Sequence, residues 1–150
     1  MPITMRTIPL SVFVFVLGLL AHPLFGELSL PHFFCDHMIL HREKPAAIWG
    51  KASPMTEVKV TFKGKTVVAT SDEKGAWRTK IDTGTADAKG SIMSIESGTE
   101  KVEIQDVLVG EVWLASGQSN MYFTMNRVPA YEPLMAKADY PGLRMFNAPL

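Results

Sequence analysis

Val58, Val60 and Phe62 alternate with Lys59 and Thr61, a period of two that places three apolar side chains on one face of a strand. Gly64 supplies a turn, and Thr66 to Thr70 reads as the returning strand. Asp72 to Gly75 forms another turn, after which Ala76 to Ile81 sets Trp77, Thr79 and Ile81 on a shared face. Ser91 to Glu96 and Lys101 to Gln105 repeat the alternation around Gly98. Short strands at this spacing predict an antiparallel β-sandwich.

The pattern changes at Asp106. Val107, Leu108, Val109, Val112, Trp113, Leu114 and Ala115 are apolar, interrupted only by Gly110 and Glu111. Such a run predicts a strand over Val107 to Leu114 that is buried on both faces, as in parallel sheets covered by helices. Beyond it Pro133 is expected to open a short helix through about Asp139, since proline suits the first helical turn. Leu143 to Phe146 reads as the start of a further strand.

Residues 1–26 follow a different grammar. Arg6 is their one basic side chain, and Ile8 to Ala21 is apolar apart from Pro9, Ser11 and Gly18. A charged start, a short greasy core, a break at Pro23 and small Gly26 predict an export signal. The core is shorter than the roughly 20 residues a membrane span requires, so no stable membrane anchor is expected. The expected divisions are thus a signal at 1–26, a β-sandwich at 27–105, and the start of a second, α/β domain at 106–150.

The remaining chain carries 14 basic and 15 acidic residues, which gives no electrostatic footprint for nucleic acid. Cys35 is the only cysteine, so no internal disulfide can form and the fold must rely on its core. His32, His37 and His41 stand near Cys35 and Asp36, but zinc ligands come in tighter paired spacings, and no metal or other cofactor is expected. Trp49, Trp77 and Trp113 could serve as sugar-stacking platforms; each sits in an alternating or apolar stretch, which favours core packing.

Ser116, Gly117, Gln118, Ser119 and Asn120 end the apolar run with five small or polar residues. A serine on a sharp turn after a strand is exposed where open sheets place ligand sites, and its own amide can face a developing oxyanion. The spacing does not fit the GxSxG elbow, so by pattern alone a simple connecting turn is the stronger claimant.

The wording is more specific. DVLVGEVWLASGQSNM (106–121) resembles the nucleophile block of the sialate O-acetylesterases, a branch of the SGNH (GDSL-like) hydrolases in which GQSN replaces GDS. LPHFFCDHMILHREKPAAIWGKASP (30–54) resembles that family's opening stretch, and YPGLRMF (140–146) its segment after the nucleophile. The resemblance implies a β-sandwich leading into a flavodoxin-like α/β/α SGNH domain, here truncated. It also implies Ser119 as nucleophile and backbone oxyanion donor toward an O-acetylated sugar, with Gln118 and Asn120 beside the substrate or shaping the turn.

The same resemblance implies further donors and an Asp-x-x-His base that this chain does not contain, and a serine without a base is a poor nucleophile. The chain is therefore expected to be inactive alone. It is also expected to be poorly soluble through its apolar 107–114 run, and to improve if cut near Gln105. Cys35, His41, Tyr122 and Phe123 stand where the family usually has serine, glutamine, glutamate and tryptophan. Met55 replaces a turn glycine; because methionine resists positive φ, a different turn is expected after Pro54. Two rival readings are a non-catalytic secreted β-sandwich that binds glycan or protein, and an O-acetyl xylan esterase of the same superfamily.

Overall fold

The computed structural model describes residues 27–148; the expected export signal lies outside the described residues. Seven strands run in chain order: β1 Ile39–His41, β2 Pro45–Lys51, β3 Glu57–Phe62, β4 Lys65–Thr70, β5 Ala76–Asp82, β6 Asp87–Ser97 and β7 Glu100–Gly110. Three short 3-10 turns and the helix α1 (Glu132–Met135) follow. The fold is mostly β with few helices, and its main sheet curls into a half-barrel.

The main sheet has the order β1-β7-β6-β3-β4, and β2 pairs with β5 in a separate two-stranded sheet. Alternation decides which faces turn inward. In β3 Val58, Val60 and Phe62 are fully buried, and in β5 Trp77 and Ile81 face the same core. Leu40 of β1, Ile48 of β2 and Met93, Ile95, Ile104, Val107 and Val109 of β6 and β7 join it, so residues from both sheets share one hydrophobic cluster. Lys63 and Gly64 both take positive φ in the β3–β4 hairpin, the geometry a tight two-residue connection requires.

Three expectations need correction. The strand predicted over Val107 to Leu114 is the second half of β7, which begins at Glu100 and ends at Gly110. Val107, Leu108 and Val109 are buried there, between antiparallel β6 and parallel β1. Val112, Trp113 and Leu114 lie outside any strand and are exposed. Second, Leu143–Phe146 forms no strand, since no neighbouring strand supplies a hydrogen-bonding edge to it. Third, Met55 does adopt positive φ, at 55°. Its amide bonds to the Asp72 carbonyl, and Ser71 Oγ accepts from the Thr56 amide, so the surrounding turn fixes the backbone whatever the side chain prefers. The helix expected to begin at Pro133 is present but short, with Pro133 in its first turn.

Asp106 lies inside β7 at a bulge. Between Ile104 and Val107 the β6–β7 register shifts, and Asp106 turns to φ 53°. Opposite it Gly90 leaves room for the Asp106 carboxylate, which a Cβ at that position would strike.

Candidate active site

The chain leaves β7 at Gly110 and is held there. The Gly110 carbonyl accepts the Arg42 amide, and Arg42 Nε donates to Glu111 Oε1 at 2.6 Å. His41 Nε2 stands 3.7 Å from the other Glu111 oxygen, and its Nδ1 is 2.8 Å from the Arg42 carbonyl. From this clamp residues 112–117 run exposed to the turn.

Ser119 opens a 3-10 turn, Ser119–Tyr122, with Gln118 in extended conformation at its N-cap. At the first position of a helical turn the serine amide has no intrahelical acceptor. Gln118, Ser119 and Asn120 are all exposed, and the Met121 amide closes the turn on the Gln118 carbonyl. Among the described residues, no histidine hydrogen-bonds to the Ser119 hydroxyl.

The segment then returns. After 3-10 turns at Met125–Arg127 and Pro129–Tyr131 and helix α1, Arg144 reaches Asp106. Its Nη2 donates to Asp106 Oδ2 at 2.7 Å, and its Nη1 donates to the Asp106 carbonyl. His37 Nδ1 lies 2.7 Å from the same Oδ2, the ring nitrogen donating because a carboxylate can only accept. That hydrogen bond, aided by the Arg144 charge and opposed by some loss of solvation, holds Asp106 below the usual carboxylate range. The serine turn is thus slung between two charged clamps, one at Glu111 and one at Asp106.

Sequence reasoning found neither clamp, and the second left little trace. The available signal was a single carboxylate beside the apolar Val107 to Val109, and a single cation in YPGLRMF. His37 and His41, considered as metal ligands, each face a carboxylate instead. Among the described residues no three His, Cys, Asp or Glu side chains gather as a metal site would require.

The tryptophans divide. Trp77 is buried as expected, whereas Trp49 is 37% and Trp113 87% exposed, against the expectation of core packing. Trp49 lies on the outer face of β2, where Phe33 and Phe34 pack on it at 5.2 and 5.0 Å between ring centroids. Trp113 follows the end of β7 and has no strand partner to bury it.

No protein-family model matches the chain. It is 32% identical over 126 residues to the sialate O-acetylesterase of Mus musculus, covering 77% of this chain and 23% of that protein. The human sialate O-acetylesterase is 30% identical over 123 residues, covering 75% of this chain and 24% of that protein. Among solved structures, a carbohydrate acetylesterase from Xanthomonas citri superposes with a TM-score of 0.70 at 29% identity, covering 75% of this chain and 26% of that one. The resemblance read in the sequence is therefore shown, and the chain spans about a quarter of the length of the relatives it matches.

Proposed function

We propose that this relative of the sialate O-acetylesterases carries the nucleophile of an exported sugar O-acetylesterase, and that the nucleophile is Ser119. The observation that carries the reading is the exposed Ser119 at the head of a tight turn, within GQSN, reached from the strand and clamp at Gly110 and Glu111 through the exposed residues 112–117.

In this reading the Ser119 hydroxyl attacks the acetyl carbonyl, and its proton passes to a histidine outside this chain. The Ser119 amide stabilises the tetrahedral oxyanion, the sugar hydroxyl departs, and water hydrolyses the acyl-enzyme. Gln118 and Asn120 shape the turn. Residues 27 to about 110 form the sandwich part, and the serine segment begins an SGNH domain that further chain completes. Two facts support the division of labour: the chain spans 23% of its mouse relative, and the described histidines near the site are engaged with Asp106 and Glu111. The chain alone is then inactive, and residues 1–26 direct export.

A chimera tests this. Residues 27–148 would replace the matching quarter of the Xanthomonas citri acetylesterase, and acetate release would be followed on acetylated sialic acid and on acetyl xylan. The chimera should release acetate from a sugar ester, Ser119→Ala should reduce that release by at least a thousandfold, and the chain alone should release none. Undiminished release by Ser119→Ala would refute the assignment, and the preferred ester decides between the sialate and xylan readings.

A further inference from the structure

The outer face of the β2–β5 sheet carries an aromatic and cationic surface that the serine chemistry does not use. Strand pairing sets Trp49 opposite Arg78, Ala47 opposite Lys80 and Lys51 opposite Ala76, so these side chains share one face. An open trough of about 570 Å³ runs over small Gly50 and Ala76, walled by Trp49 and rimmed by Arg78, Thr70 and Asp72. It continues past Gly50 toward Lys51 and Ser29. A Cβ on Gly50 would collide with the Ser29 carbonyl on the side of buried Trp77, so the strand beneath the trough is held close to Ser29.

The charges on this face differ from most of those on the other sheet. Lys59, Lys63, Lys65 and Lys101 each pair with a carboxylate. Lys51, Arg78 and Lys80 make no ion pair among the described residues. The Arg78 guanidinium instead lies 5.6 Å from the Trp49 ring centroid. The one acid on the rim, Asp72, spends Oδ1 on the Lys74 and Ala76 amides of its own turn.

We propose that this trough binds a carboxylate-bearing sugar of a glycan, at a site separate from Ser119. The guanidinium of Arg78 takes the carboxylate in a fork, Lys51 and Lys80 add positive potential, and the sugar ring meets the part of the Trp49 indole that Phe33, Phe34 and Arg78 leave exposed. The Thr70 hydroxyl and the free oxygen of Asp72 meet ring hydroxyls. A trough of this size suits one or two sugar units and lies within the range of small-molecule sites, roughly 300–1,000 Å³. Its use would be to hold an acidic glycan near the esterase while individual acetyl groups are presented to the serine. Only that last use rests on the proposed function; the binding itself does not.

The experiment titrates the 150-residue chain with a sialyl oligosaccharide, a glucuronyl oligosaccharide and the matching neutral oligosaccharide, read by calorimetry and tryptophan fluorescence. The proposal expects saturable binding of an acidic glycan, at least about tenfold tighter than of the neutral one, and a similar loss in Arg78→Gln. Lys51→Gln should weaken binding by a smaller factor, and added salt should weaken it further. Which acidic glycan binds identifies the sugar. Equal affinity for the neutral glycan, no saturable binding of either acidic one, or undiminished binding by both exposed-site variants would overturn it. Ser119→Ala should bind as the native chain does, so acidic-glycan binding alongside undiminished acetate release by the Ser119→Ala chimera would fault the serine chemistry and leave the trough standing.

Discussion

Arg144 reaches back across 38 residues of chain to grip Asp106 twice, with Nη2 on Oδ2 at 2.7 Å and Nη1 on the backbone carbonyl. His37 completes the cluster from the loop before β1, at 2.7 Å from the same oxygen. The left-handed bulge in β7 makes this possible, because it turns the Asp106 carboxylate over Gly90 and out of the regular alternation. One carboxylate thereby ties together the opening loop, the last strand and the segment that returns from the serine.

The pH dependence of this cluster has a definite sign. The folded pKa of Asp106 is lowered, so its contribution is complete above the ordinary carboxylate range and is lost as pH falls through the lowered folded value. The gap in urea midpoint between the native chain and Asp106→Asn should be widest near neutral pH and should close below about pH 4. A gap that stays constant down to pH 3 would show that the aspartate acts by shape and not by charge.

Truncation separates the folded part from the exposed run. Cutting at Gln105, which the sequence pattern favours, would remove buried Val107, Leu108 and Val109 from β7. At roughly 1.5–3 kcal/mol each, their loss is comparable to the whole stability of a small domain. A chain ending at Gln105 should therefore be unfolded by circular dichroism, and one of residues 27–111 should be folded. The shorter folded chain should also stay monomeric at concentrations where the 150-residue chain associates, because it lacks exposed Val112, Trp113 and Leu114. Light scattering checks this; equal association by the two would place the sticky surface elsewhere.

Met55 offers a stabilising change. It holds φ 55° with a 68% exposed side chain, so glycine there loses little packing and relieves left-handed strain. That relief, about 1–2 kcal/mol, exceeds the roughly 0.5–1 kcal/mol of added unfolded-state entropy, so Met55→Gly should raise stability by up to about 1 kcal/mol. A lower melting temperature would mean that Met55 contributes contacts not evident at this exposure.

Much of the β fold was legible because alternation is a local property. β3, β4 and β5 fall within a residue or so of where Val58, Thr66 and Ala76 place them, and Trp77 and Ile81 point inward as their spacing requires. What depends on partners distant in sequence was not legible. The pairing of β1 with β7 is parallel across about 70 residues, and the bulge that merges Lys101–Gln105 with Val107–Val109 leaves no compositional mark. Met55 shows the same limit at a turn, where hydrogen bonds from Thr56 and Ser71 override a side-chain preference. At the candidate site the exposed turn at Ser119 was readable from the small and polar run Ser116 to Asn120. The Glu111 and Asp106 clamps were not, since Arg42 and His37 lie 69 residues from their partners.

The most direct measurement is the position of a covalent adduct. The chimera would be treated with an alkyl phosphonate probe and mapped by mass spectrometry. The account predicts a single modification on Ser119, absent after Ser119→Ala; an adduct on any other residue, with acetate release abolished, would contradict it.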